Sequence, residues 1–197
     1  IHNGQLITMS QYSQIHIDES SIKINGYACK VQDNAYFIVK SSDWQIGGNV
    51  EKKYAFCLLN KAKVNVSSSN ISTKESFLYC IDDSYLKIEN TNIFSDTMDS
   101  LFLFSDNTKT EIMNSKLNVY SLATLKNHAY VIVKNSSIKA KDFIIKLAGN
   151  SKVFIKGVLF KQISNNKKIA FEVLHNSKIN ITDSIVDNFY VGIKYEN

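Results

Sequence analysis

The sequence has no proline, and all 23 of its basic residues are lysine because arginine is absent too. Without proline, no strand is confined to a sheet edge or bulge by a missing N–H donor. Without arginine there is no guanidinium to grip phosphate or guanine in a two-pronged hydrogen bond, which argues against nucleic acid as a partner. The three cysteines, Cys29, Cys57 and Cys80, form no C-x-x-C pair, so zinc-ribbon and thioredoxin-like chemistry are excluded. No apolar run approaches the ~18–20 residues of a membrane span. Ile1 to Ser10 show no basic start followed by an apolar stretch, so no signal peptide is visible, and the chain does not open on Met. We therefore expect an excised segment. With 44% hydrophobic residues and a net charge of +5, the chain is too apolar and too weakly charged to be disordered.

What is present is a repeat. The pattern apolar, any, apolar, any, turn residue, Ser or Thr, any, apolar recurs from IHIDESSI at residue 15 to INITDSIV at residue 179. Its third position is Ile17, Val39, Val66, Ile88, Ile112, Val133, Ile155 and Ile181. Alternation with a period of two is strand periodicity, with the first and third positions facing inward. Only Thr110 interrupts the inward apolar row. Two residues past the reference stand Glu19, Ser41, Ser68, Asn90, Asn114, Asn135, Gly157 and Asp183, several of them types that tolerate a left-handed bend. The next column is Ser20, Ser42, Ser69, Thr91, Ser115, Ser136, Val158 and Ser184, hydroxyls able to bond local backbone. An apolar residue five past the reference opens a second strand.

A third strand, such as YAFCLLN (54–60) or LFLFSDN (101–107), precedes each copy and ends on Asn or Asp. Its expected corner residues are Asn34, Asn60, Asp83, Asn107, Asn127, Asn150 and Asn176, whose side chains can bond along a stack. Three strands and three corners make one turn of a parallel β-helix, so the fold expected is an all-β parallel β-helix solenoid of about eight coils of 21–27 residues, with a loop of variable size, over 1–197 as a single segment. A β-sandwich would show more hairpin pairs of the kind seen at Asn25-Gly26, and a βαβ fold would need helical segments.

The segments LKIENTNIFSD, VIVKNSSIKAKD and KINITDSIVDN resemble the PbH1-type repeats of the pectin-lyase-like superfamily. That resemblance spans about residue 13 to the end and implies right-handed winding; its members include polysaccharide lyases, glycoside hydrolases, phage tailspikes and bacterial surface passengers. Phe104-Ser105-Asp106-Asn107 is similar to the F-x-x-N element of chlamydial polymorphic outer-membrane proteins, with Gly47-Gly48-Asn49-Val50 approximating its usual companion. Likeness to pectate lyases would imply a catalytic Arg, which is missing. Likeness to polygalacturonases would imply an Asp-Asp pair with Gly-His-Gly and Arg-Ile-Lys elements, of which only Asp82-Asp83 exists.

No catalytic, cofactor-binding or metal-binding residue is assigned. Asp82 and Asp106, one coil apart, could hold Ca²⁺, or could face water with Lys126 offsetting their charge. His2, His16, His128 and His175 fall in different registers and read as surface residues. Cys57 and Cys80 are expected in one inward column, within disulfide range or as small apolar fillers. On the outer face, Lys87 should lie beside Glu111, and Ile132 beside Phe154. Asn-x-Ser/Thr sequons stand at Asn65, Asn70, Asn135 and Asn180. The net charge reads as spread along the chain. The expected function is non-enzymatic: a structural or adhesive segment of a secreted or cell-surface protein, binding a host or cell-surface protein or a polysaccharide and able to self-associate. The alternative is a carbohydrate-active enzyme or polysaccharide-binding β-helix with its active site elsewhere.

Overall fold

A computed structural model describes residues 7–25, 29–47, 54–74, 76–164 and 168–196. Those residues form strands, turns and bends without a helix. Every strand pairing is parallel, between strands that are third neighbours in the chain, which builds one nine-stranded and two eight-stranded sheets. The chain is a parallel β-solenoid of about eight turns. Each coil visits the first, second and third sheet in that order; Ser76–Cys80, Tyr85–Glu89 and Asn92–Ser95 are one such visit. Coils are numbered here by their reference residue, from Ile17 in coil one to Ile181 in coil eight.

The repeat is the register. In the second sheet Ile17 pairs with Val39, Val39 with Val66, and so on through Ile155 with Ile181. In the third sheet the apolar residues five further on stack as Ile22, Trp44, Ile71, Ile93, Leu117, Ile138, Phe160 and Val186. Each third-sheet strand begins one residue before that apolar position. Inward side chains from all three sheets meet on the axis, where Trp44, Phe37, Phe56, Phe77 and Phe102 pack ring to ring with centroids 5.0–6.1 Å apart. Truncating one of these buried rings to Ala should cost about 3–5 kcal/mol.

Two corners are built from left-handed residues. Glu19, Ser41, Ser68, Asn90, Asn114, Asn135, Gly157 and Asp183 all have positive φ, as their place in the repeat led us to expect. The corner between the first and second sheets also uses one such residue per coil: Gln11, Asp33, Asn60, Asp82, Asp106, Asn127, Gly149 and His175. This corrects the expected column. Asn34, Asp83, Asn107, Asn150 and Asn176 stand one residue past the bend, and only Asn60 and Asn127 occupy it. At Asp33-Asn34, Asp82-Asp83 and Asp106-Asn107 two such residues stand side by side, and type alone does not say which takes positive φ; in the other two coils Gly149 and His175 take the bend. At Gly149 a Cβ would sit 2.9 Å from the Asn127 backbone, so a glycine is required by space as well as by φ. Loop length varies only at the third corner. Gly26, Gly48, Asn49, Val50 and His2 lie outside the described residues.

One expected neighbour is also corrected. Cys57 pairs in register with Tyr79, whereas Cys80 pairs with Leu58 and Phe104. The two cysteines therefore point to opposite faces of the first sheet, and no disulfide joins them to each other or to Cys29. Cys80 fills an inward column with Leu58, Phe104, Leu125, Leu147 and Val173; Cys57 lies outside it. Burial pushes the Cys29 thiol up to about 12 and the Cys80 thiol well above its ordinary value, so neither is a reactive nucleophile. Lys87 and Glu111 are in register, but the ion pairs run within each strand, Lys87–Glu89 and Lys109–Glu111, both at 2.7 Å.

Candidate functional site

The outer face of the third sheet carries a trough of about 720 Å³ crossing coils one to six. Strand alternation presents two outward rows to it. One row begins Ser21, Asp43, Asn70, Asn92, Lys116; the other includes Gln45, Ser72, Phe94, Asn118 and Lys139. The first row is a hydrogen-bonded ladder. Asn70 Nδ2 donates to Asp43 Oδ1 and Asn92 Nδ2 donates to Asn70 Oδ1, both at 2.8 Å. Directional donation along the stack fixes each amide and leaves the Asn92 carbonyl oxygen at the end of the chain of bonds. Phe94 stands beside this ladder with 49% of its surface exposed, an unusual position for a large aromatic on an otherwise polar face.

Among the described residues the trough is lined by one carboxylate, Asp43, and by no histidine or cysteine. Nothing in it pairs an acid with a base, as glycosidic cleavage by two carboxylates requires. Among the described residues no group of three or more His, Cys, Asp and Glu side chains comes together to hold a metal. The corner carboxylates do meet neighbours along the stack: Asp106 Oδ1 accepts from Asn127 Nδ2 at 2.8 Å, and Asp82 Oδ2 accepts from the Asn60 backbone N–H at 3.3 Å. Asp83 Oδ1 accepts from Asn107 Nδ2 at 3.2 Å. Asparagine amides, rather than Lys126, thus satisfy this corner.

The sequence matches no protein-family model, no curated protein and no solved structure.

A cluster of ionisable groups lies elsewhere, on the outer face of the second sheet in coils four and five. The Lys109 ammonium binds Glu111 and sits 5.5 Å from the Tyr85 ring centroid. Hydrogen bonding from Lys109 holds the Glu111 carboxyl below its ordinary value, helped by the Tyr85 hydroxyl and the charge of Lys87 and opposed by partial burial. Partial burial and the Glu111 carboxylate push Tyr85 up to about 12, and the bond to Glu89 raises Lys87. A general base needs a phenol or amine shifted the other way. This cluster is a satisfied ion-pair network on a sheet face.

His16, His128 and His175 are exposed and on separate columns. Of the sequon residues, Asn70 is engaged in the amide ladder, and Asn135 sits at a left-handed corner. Ile132 and Phe154 are in register on the second sheet and half-buried. The trough itself escaped the sequence reading. Its signal was present in the position four past the reference, where Asp43, Asn70 and Asn92 succeed one another, but their common outward direction becomes visible only with the register.

Proposed function

We propose that this chain is a non-enzymatic adhesive rod, a segment of a secreted or cell-surface protein, that holds a glycan chain in the trough of its third sheet. The supporting observation is the composition of that trough: an oriented amide ladder ending at Asn92, flanking hydroxyl and amide groups, and the exposed Phe94. Amides give directional bonds to sugar hydroxyls, and an aromatic face takes the apolar side of a sugar ring. A stack of coils also carries such a face far along a rigid body, which suits attachment at a distance from an anchor. The repeat register supports reading the chain as pectin-lyase-like and right-handed, and the missing Arg favours the manner of surface passengers over that of lyases. The test is binding of the 197-residue chain to a panel of immobilised neutral glycans. The proposal expects saturable binding to at least one of them, weakened severalfold by Phe94→Ala with the unfolding midpoint unchanged. Equal binding by Phe94→Ala and wild type would remove the trough from the account.

A further inference from the structure

The charge is not spread evenly. Residues 121–197 hold twelve lysines against five carboxylates, a net of +7, while residues 1–120 hold eleven against thirteen, a net of −2. On the outer face of the second sheet the change falls between coils five and six. In coils four and five each charge has a partner within its strand, as Lys87 with Glu89 and Lys109 with Glu111. In coils six to eight the same face carries Lys134 directly over Lys156, and Lys152 directly over Lys178. Among the described residues none of these four lysines has a carboxylate within ion-pair distance; Asp183, at the corner following coil eight's second-sheet strand, pairs with neither Lys156 nor Lys178. Parallel neighbours lie about 4.8 Å apart, so the two stacked pairs repel.

The four lysines flank an apolar floor. Phe154 lies on the same strand midway between Lys152 and Lys156, and Ile132 is its in-register neighbour. Four residues of extended chain separate the two lysine rows by about 13 Å. The Lys134 ammonium sits 5.9 Å from the Phe154 ring centroid. Beside Lys152 and Lys178 a recess of about 510 Å³ is lined by the exposed amides of Asn150 and Asn176.

We propose that this face of coils six to eight binds an anionic polysaccharide running along the rod axis. The sugar rings rest on Phe154 and Ile132, and sulfate or carboxylate groups on either side meet the two lysine rows. The repulsion within the stacked pairs is then relieved on binding, because each anion bridges ammonium groups one strand spacing apart. An extended chain with a charge on each ring matches two parallel rows of point charges, whereas duplex nucleic acid offers no single ring face to the aromatic floor. This face is separate from the third-sheet trough and does not depend on its assignment.

The test uses the full 197-residue chain with dextran sulfate, a polyuronate, neutral dextran, duplex DNA and anionic phospholipid vesicles as probes. The proposal expects dextran sulfate or the polyuronate to bind most tightly, and their comparison tells sulfate from carboxylate. Binding should weaken as salt is raised, and the Lys134→Gln/Lys152→Gln/Lys156→Gln/Lys178→Gln variant should lose at least about tenfold in affinity. Because like-charge repulsion is removed, that variant should unfold at the same or higher denaturant concentration than wild type, which separates lost binding from lost folding. Phe154→Leu should weaken binding while preserving salt dependence, and Phe94→Ala should leave it unchanged. Undiminished binding by the quadruple variant, or tighter binding to DNA or vesicles than to either polyanionic glycan, would overturn the proposal.

Discussion

Removing one hydroxyl from the middle of the Ser/Thr column should destabilise the rod far more than removing one from its first coil. In coil five, Ser115 Oγ donates to the Met113 carbonyl at 2.7 Å and accepts the Thr91 N–H from the coil before at 3.2 Å. The same double role recurs at Ser42, Ser69, Thr91, Ser136 and Ser184, so one hydroxyl closes its own bend and ties it to the preceding coil. In Ser115→Ala the Met113 carbonyl keeps the Asn90 N–H at 3.1 Å, but the Thr91 N–H is left buried without its acceptor. An orphaned buried donor costs about 1–3 kcal/mol. Ser20 is the control, because its hydroxyl makes only the local bond to Asp18, at 2.7 Å, on a part-exposed coil. Ser20→Ala should cost under about 0.5 kcal/mol. At Val158 the column lacks a hydroxyl, and Val158→Thr should supply an acceptor for the Ser136 N–H and gain about 0.5–1.5 kcal/mol. For a chain of this size each kcal/mol moves the thermal midpoint by roughly 2–4 °C. Denaturant unfolding followed by far-ultraviolet circular dichroism resolves these differences. If Ser115→Ala is no more destabilising than Ser20→Ala, the hydroxyl column does not tie coil to coil.

Three further outcomes follow from the same structure. Thr110 is fully buried with a hydroxyl that has no hydrogen-bond partner among the described residues, so Thr110→Val should raise the stability by about 1 kcal/mol or more; a drop in stability would mean the hydroxyl is satisfied. Glu111 is held below its ordinary value, so its contribution is present above pH 4.5 and lost as pH falls through the lowered value. Wild type should therefore exceed Glu111→Gln in stability at neutral pH, with the gap closing under acid; on the alkaline side Tyr85, raised from 10.0 to about 12, contributes fully below pH 10 and loses that contribution as pH rises through 12. A gap independent of pH across the acid range would contradict this. Finally, Ile185 in the last coil and Tyr195 in the strand that follows it are 63% and 65% exposed, and both strands lie at a sheet edge, so the 197-residue chain should self-associate with rising concentration; sedimentation as a concentration-independent monomer would refute that.

How far these features could be read in advance depended on whether they are set by periodicity or by facing. The inward apolar residues are periodic, so Ile17 through Ile181 located the second sheet and its register without help. The bend at Asn90, Asn114 and Asn135 was legible because few residue types adopt positive φ, and its position never shifts. The first corner was read one residue late in most coils, since Asp82-Asp83 and Asp106-Asn107 offer two suitable residues side by side. That slip moved Cys57 into the wrong column, where a one-residue change reverses the face. The column Ala35, Ala62, Ser84, Thr108, Ala129, Ser151 and Ser177, small and buried where two sheets converge, went unnoticed because small residues carry no strong periodic signal. The trough and the lysine face depend on which outward residues become neighbours across coils. Loops of unequal length at the third corner hide that adjacency from any fixed-interval reading.

The most direct measurement is the size distribution of a polysaccharide that the chain binds, followed over prolonged incubation alongside the appearance of reducing ends and unsaturated products. A binding rod without catalytic machinery leaves the polymer length unchanged while remaining bound to it. Progressive shortening of the polymer, proportional to protein concentration and abolished by a substitution in the third-sheet trough, would contradict the account at its centre.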